Sequence, residues 1–219
     1  MIPKLLIFDF DGVVADSETL ACGIAAAYAT ELGAPMSAAE GLTLLMGRRV
    51  ADVAALIAGR GGTVPEDFAE QLLERTLSCF ATSLEPVPGV RQFLESQAGI
   101  PHCIASSSSH ARLNASLARI GLSDWFKDRV FSVDDVSRGK PFPDVFLHAA
   151  KVMGQSPADT LVIEDSVGGV TAGVAAGMQV VGLLAGTHVK HDTIERLREA
   201  GAVAVVRSYV ELTAWIAQG

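Results

Sequence analysis

Beyond residue 86, the sequence alternates between short apolar runs and longer segments with helical periodicity. The short runs predict buried strands, and the segments between them predict helices. Strands that are joined through helices pair in parallel, since each crossover returns the chain to the same edge of the sheet. The predicted strands are residues 100–105, 130–133, 160–163, 179–184 and 202–206, together with residues 4–8 near the N-terminus, and the helices that follow the later strands are 110–120, 143–153, 168–176, 193–200 and 210–217. We therefore expect an α/β fold built on a parallel sheet.

The segment between the first strand and Pro86 shows no convincing strand pattern. Its periodicity predicts four helices, at residues 17–31, 37–46, 50–57 and 65–80. Two prolines and a glycine in Pro86–Gly89 mark a boundary after this block. We expect a Rossmann-like catalytic core of residues 1–15 and 85–219, flanked by helices, with an inserted α-helical cap domain of residues 16–84.

The composition and charge of the chain limit the kinds of molecule that it is expected to bind. The 219 residues carry a net charge of −8 and contain no run of Lys or Arg, which argues against nucleic acid as a partner. No apolar stretch approaches the length of a membrane span, and the apolar run near the N-terminus is too short for a secretory signal. Cys22, Cys79 and Cys103 form no C-x-x-C pair, so we expect reduced thiols. These features predict a cytoplasmic protein, monomeric or weakly homodimeric, without a membrane partner.

Polar side chains follow several of the predicted strands at the point where each strand ends. Asp9 and Asp11 follow the first strand, Ser106 follows the second, Lys140 comes after the third, and Glu164-Asp165 follows the fourth. Ligands of parallel sheets bind beyond the carboxyl ends of the strands, so we expect these groups to converge. If the strand stays extended, Asp9 and Asp11 point to the same face. Several clustered carboxylates repel one another unless a cation intervenes, and Mg²⁺ prefers oxygen ligands.

Some of these residues have plainer interpretations. Asp9 can be a turn or N-cap aspartate, and Asp11 precedes a glycine in a common turn dipeptide. The serines at 106–109 can cap the following helix, although Ser106 directly follows the apolar strand. The spacing of Gly169, Gly173 and Gly177 indicates a helix packed closely on the sheet. His188 and His191 have the spacing of a pair of metal ligands, but we interpret them as surface histidines.

The segment Asp9-Phe10-Asp11-Gly12-Val13-Val14-Ala15-Asp16-Ser17-Glu18 resembles the first motif of the haloacid dehalogenase-like hydrolase superfamily. Ser106 matches the second motif, Lys140-Pro141 the third and Glu164-Asp165-Ser166 the fourth. The four motifs occur in order and span nearly the whole chain. The helical block resembles the small cap of the β-phosphoglucomutase-like branch.

The resemblance implies a division of roles. Asp9 would be the nucleophile that forms a phosphoaspartyl intermediate, and Asp11 would be the general acid and base. Ser106, Ser107, Lys140 and Gly12 would bind the phosphate group, although many relatives carry Asn at the position of Ser107. Mg²⁺ would be the cofactor, bound by the Asp9 carboxylate, the Asp11 backbone carbonyl and Asp165, with Glu164 ligating the ion or orienting one of its waters.

Among the chemistries of this superfamily, the residues favour a phosphatase. Dehalogenation needs neither Asp11 nor the metal, and phosphonoacetaldehyde hydrolysis needs a cap lysine, whereas residues 16–83 contain no lysine. A β-phosphoglucomutase-like phosphotransferase remains the alternative, but Ala21 stands where that enzyme has a cap histidine. A catalytically silent binding or regulatory protein is the more remote alternative.

The expected substrate is a small phosphorylated metabolite, a sugar phosphate or a sugar-acid phosphate such as phosphogluconate. Glu18, Arg48 and Arg49 are the candidate substrate contacts of the cap. The two arginines could grip a carboxylate or a second phosphate, although both can equally be solvated residues at the start of a helix.

Overall fold

The computed structural model describes residues 2–187 and 193–218. The chain divides into two compact units, Ser17–Leu84 and the combination of Met1–Asp16 with Glu85–Gly219. His188 and His191 lie outside the described residues. Within the described part of the chain, no helix has both the length and the apolar character needed to cross a bilayer.

The smaller unit is formed by helices around its own apolar core, in which Tyr28, Ile57 and Phe68 are buried. Ser37 opens the second helix with a capping box, since its hydroxyl accepts from the Glu40 amide while the Glu40 carboxylate accepts from the amide of Ser37. The fourth helix begins later than predicted because the Phe68 amide closes a turn onto Pro65. The helices of the smaller unit are α1 (Glu18–Glu31), α2 (Ala38–Leu44), α3 (Val50–Gly59) and α4 (Phe68–Ser83).

The larger unit contains a six-stranded sheet, which confirms the predicted Rossmann-like α/β fold. All strand pairs are parallel, and the strand order is β3-β2-β1-β4-β5-β6. The strands are β1 (Leu5–Phe8), β2 (His102–Ser106), β3 (Val130–Ser132), β4 (Thr160–Glu164), β5 (Gln179–Leu183) and β6 (Ala204–Val206). Because β1 lies between β2 and β4, the segments that follow these three strands meet at one edge of the sheet.

Helices precede or follow the strands of this sheet. They are α5 (Val90–Ser96), α6 (His110–Arg119), α7 (Ser123–Phe126), α8 (Asp144–Val152), α9 (Val167–Ala175), α10 (Thr193–Glu199) and α11 (Tyr209–Gln218). A Cβ atom at Gly173 would lie 2.6 Å from Val180 Cγ2, so glycine allows the close contact of α9 with the sheet that the glycine spacing predicts. The short helices α5 and α7 were not predicted, and the four residues of α7 are too few to establish a helical period.

Candidate active site

Asp9 lies directly beyond the last residue of the central strand. Its amide donates to the Ile163 carbonyl at 2.9 Å, which continues the pairing of β1 with β4 by one residue. The chain then turns, with Gly12 at φ +78° and its amide donating to the Ala15 carbonyl at 2.8 Å. Because β1 ends at Phe8 and the chain bends at Phe10, the extended conformation that would place Asp9 and Asp11 on one face does not continue to Asp11. The amide of Gly12, a predicted phosphate contact, is used inside this turn.

A buried lysine joins the segments that follow β1 and β4. Lys140 Nζ donates to Asp9 Oδ1 at 2.6 Å and to Glu164 Oε1 at 2.8 Å. The same ammonium lies 4.6 Å from the centre of the Phe146 ring, which covers it with an apolar surface. Lys140 reaches the site from the loop after β3, so residues that are far apart in the sequence meet at this edge.

Burial and charge oppose each other at this cluster. Burial raises the pKa of Asp9 well above its usual value; the ammonium of Lys140 opposes that rise, and the carboxylates of Glu164 and Asp165 add to it. Burial alone would lower the pKa of Lys140, but the charges of Asp9 and Glu164 outweigh it and raise the pKa of the ammonium. Lys140 is therefore charged at neutral pH, and this single ammonium lies at a cluster of three carboxyl groups.

Three buried carboxylates lie close enough to hold a cation. Donor oxygens of Asp9, Glu164 and Asp165 all lie within 4.8 Å of one another. An all-oxygen, negatively charged set of this kind suits a hard divalent cation such as Mg²⁺. Because three carboxyl groups cluster beside one ammonium, a divalent cation would reduce the repulsion among their ionised forms. The residues present therefore fit the expected metal.

Glu164 is engaged at both of its carboxylate oxygens. Lys140 binds Oε1, while Oε2 accepts from the Ser166 amide at 2.7 Å and from the Ser166 hydroxyl at 2.9 Å. Ser166 also caps α9, because its Oγ accepts from the Gly169 amide at 3.0 Å. These contacts favour a positioning role for Glu164, and Ser166 does more than cap a helix.

The side chain of Asp11 has different partners from those of Asp9. Ser108 Oγ donates to Asp11 Oδ2 at 2.7 Å, and Arg112 Nη2 donates to Oδ1 at 2.6 Å. Sequence reasoning missed both Ser108 and Arg112. One signal could have indicated Arg112, since a cation in the first turn of a helix opposes the helix dipole and calls for a nearby anion.

The four consecutive serines have separate environments. Ser106 ends β2, is buried, and its hydroxyl accepts from the Ser108 amide at 3.1 Å. Ser107 is exposed. Ser109 is the capping serine, since its hydroxyl accepts from the Arg112 amide at 3.4 Å. The position of Ser106 at the strand end agrees with the prediction, whereas capping belongs to Ser109.

The predicted substrate contacts of the helical block lie in the smaller unit. Glu18 is the first residue of α1 and accepts from Cys22 Sγ at 3.9 Å. Arg49 directly precedes α3, and its guanidinium makes two hydrogen bonds to Asp52, at 2.9 and 3.1 Å. Arg48 donates to the Leu44 carbonyl. Both arginines thus have partners in their own unit.

The sequence of residues 3–177 matches the haloacid dehalogenase-like hydrolase family. The chain belongs to this family. A solved structure of a haloacid dehalogenase-like protein from Agrobacterium tumefaciens is 32% identical and has a TM-score of 0.86, covering 98% of each chain. A putative β-phosphoglucomutase from Thermotoga maritima is 27% identical, with a TM-score of 0.78 over 97% of this chain and 98% of that one.

Two curated relatives are phosphatases of small phosphorylated compounds. The chain is 30% identical to the phosphorylated carbohydrates phosphatase of Thermotoga maritima, over 93% of this chain and 94% of the relative. It is 27% identical to the 6-phosphogluconate phosphatase of Escherichia coli, over 85% of each. Membership of this family and these relatives make the chain an enzyme of the phosphatase class.

Proposed function

We propose that the protein is a Mg²⁺-dependent phosphatase that hydrolyses a small phosphorylated sugar or sugar acid through a phosphoaspartyl intermediate. The observation that carries this proposal is the buried contact of Lys140 with both Asp9 and Glu164. It holds a carboxylate and an ammonium together at the carboxyl end of the central strand, where a phosphate group would need both a nucleophile and a cation.

Asp9 is the nucleophile in this proposal. One of its carboxylate oxygens forms a bond to phosphorus as the bond from phosphorus to the ester oxygen breaks, and the leaving oxygen takes a proton from Asp11. A water molecule then attacks phosphorus, Asp11 accepts its proton, and the bond to Asp9 breaks to release phosphate. Dividing the displacement in this way returns both aspartates to their starting states.

Lys140 and Ser106 are the proposed phosphate ligands of the core. The charged ammonium of Lys140 offsets the negative charge that builds up on the phosphoryl oxygens in the transition state. Ser106 places a hydroxyl at the end of the neighbouring strand. Ser107 and Gly12 are the other proposed phosphate contacts; Ser107 is exposed, and the Gly12 amide donates to the Ala15 carbonyl within its turn.

The metal site is proposed at Asp9 and Asp165, with the backbone carbonyl of Asp11 as a further ligand and Glu164 in support. A bound Mg²⁺ would reduce the repulsion between the Asp9 carboxylate and the phosphate dianion that it attacks. Glu164 orients the cluster by binding Lys140 on one oxygen and the start of α9 on the other.

The phosphatase relatives that act on phosphorylated carbohydrates and 6-phosphogluconate support the substrate class. We assign the helical unit the role of a cap that selects the substrate, with Glu18, Arg48 and Arg49 as its candidate contacts. An exposed guanidinium such as that of Arg49 can exchange Asp52 for a substrate carboxylate with a small change in free energy. We expect Arg49→Met to raise KM for 6-phosphogluconate more than KM for glucose 6-phosphate.

The proposal is tested with the purified protein and p-nitrophenyl phosphate, followed by a panel of sugar phosphates. Hydrolysis should require Mg²⁺, stop on addition of EDTA, and return when Mg²⁺ is restored in excess. A protein that hydrolyses no phosphomonoester in Mg²⁺ contradicts the proposed function, and activity that persists fully in EDTA contradicts the metal requirement.

A mutase activity is the second candidate, supported by the likeness to the putative β-phosphoglucomutase of Thermotoga maritima. The separate test is the conversion of β-glucose 1-phosphate to glucose 6-phosphate in the presence of a bisphosphate primer. Isomerisation at a rate above that of hydrolysis would favour the mutase. Release of inorganic phosphate alone favours the phosphatase.

A further inference from the structure

The carboxylate of Asp11 is held from two sides by residues at the start of α6. Ser108 donates to one oxygen at 2.7 Å and Arg112 to the other at 2.6 Å. The pair is largely shielded from water, since the side chains of Arg112 and Asp11 are 22% and 14% exposed. Charge-assisted hydrogen bonds in such a place are stronger than those on an open surface. The orientation of Asp11 is therefore set by groups other than those that hold Asp9.

Ser108 is itself fixed by the ends of two strands. Its amide donates to Ser106 Oγ at 3.1 Å, and its carbonyl accepts from Ser132 Oγ at 2.7 Å. All three serines are buried. Ser108 cannot move without breaking hydrogen bonds at the ends of β2 and β3, so it presents its hydroxyl to Asp11 from a rigid support.

Arg112 occupies a helical position that does not favour a cation. It is the third residue of α6, where its amide donates to the capping Ser109. The positive end of the helix dipole disfavours a guanidinium in the first turn. The contact with Asp11 supplies the compensating anion and explains why the side chain remains partly buried there.

We propose that Arg112 is a positioning residue that keeps the Asp11 carboxyl available to the leaving oxygen by holding it apart from Lys140. This inference rests on the proposed function, in which Asp11 transfers the proton. Without Arg112, the largely buried carboxylate would lose its cationic partner and would be attracted to the ammonium that serves Asp9 and Glu164. Each aspartate of the pair thus has its own cation, Lys140 for Asp9 and Arg112 for Asp11.

The test compares two leaving groups, because kcat/KM reports only the steps up to departure of the leaving group. A sugar alkoxide needs a proton to leave, whereas p-nitrophenolate does not. Arg112→Met should therefore lower kcat/KM by about 100-fold for the sugar phosphate that the wild type hydrolyses fastest, and by less than about threefold for p-nitrophenyl phosphate. Ser108→Ala should change the ratio in the same direction by a smaller factor. Arg112→Lys, which keeps the charge, should restore part of the loss.

Arg119→Met is the matched control, since it removes the same charge from the same helix at its exposed end, where the pair with Glu85 is 3.5 Å long. It should leave the ratio between the two substrates unchanged. If Arg112→Met lowers kcat/KM for both substrates by one common factor, or for neither, the positioning role is wrong. Should Arg112→Met fail to fold, the ratio measured on Ser108→Ala and Arg112→Lys decides in the same way. A wild-type protein that hydrolyses neither substrate overturns the proposed function and this inference with it.

Discussion

Gly169 lies directly against the carboxylate of Glu164. A Cβ atom at residue 169 would be 1.6 Å from Glu164 Oε1 and 1.9 Å from Cδ, distances that no side chain can share. The first turn of α9 thus leaves room for a buried carboxylate only because residue 169 has no side chain. The same carboxylate accepts a hydrogen bond from Lys140, so the position of the Lys140 ammonium depends on the absence of a side chain at residue 169.

Gly169→Ala should displace Glu164 and weaken its hold on Lys140. We expect kcat to fall by about 100-fold, as for other displacements of about 1 Å near a reacting group. The overpacking should also cost about 1–3 kcal/mol of unfolding free energy, measured in urea.

Gly168→Ala is the matched control, since the space around a Cβ at 168 is open to 4 Å. It should retain activity and gain up to about 1 kcal/mol from the better helix propensity of alanine. Equal behaviour of the two variants would contradict this account.

Lys140→Met should affect both activity and folding. It removes the cation from between two buried carboxylates, which costs about 3 kcal/mol of unfolding free energy in the absence of Mg²⁺, and it lowers kcat by at least about 100-fold. Lys151→Met, at an exposed position of α8, should change neither the unfolding free energy nor kcat.

The double variant Lys140→Met with Glu164→Gln separates the effect on stability from the effect on activity. Neutralising Glu164 removes one of the unpaired charges, so the double variant should unfold at a higher urea concentration than Lys140→Met while remaining inactive. If Lys140→Met alone is as stable as the wild type, the ammonium does not stabilise the cluster as described.

His102 predicts a pH dependence of stability away from the site. Burial lowers the pKa of His102, which contacts Phe8 and Phe126 and has carbonyl groups of Ile100 and Trp125 beside its two ring nitrogens. Because the folded pKa lies below the unfolded value of about 6.5, the unfolded chain binds the proton first as pH falls. Stability should therefore decrease as pH falls below about 6.5. His102→Gln should show a smaller loss of Tm between pH 8 and pH 5 than the wild type; an unchanged or larger loss would argue against this origin.

The sheet and most of the cluster could be predicted because their signals are local. Apolar runs end in acids at Asp9 and Glu164, and the alternation with helices fixes parallel pairing, so convergence of these groups follows from topology. The contacts of Arg112 with Asp11 and of Gly169 with Glu164 follow from side-chain packing, which periodicity does not encode. The four-residue helix α7 carries too little sequence to register a helical period.

Whether Asp9 carries the phosphoryl group is measured most directly by the intact mass of protein quenched in acid. The variant Asp11→Asn should trap the intermediate with p-nitrophenyl phosphate, because that leaving group needs no acid while the base that activates water is absent. We predict one phosphoryl group per chain, mapped by peptide analysis to Asp9, and none when Asp9→Asn is added. A phosphoryl group on another residue, or hydrolysis that persists in Asp9→Asn, would contradict the account.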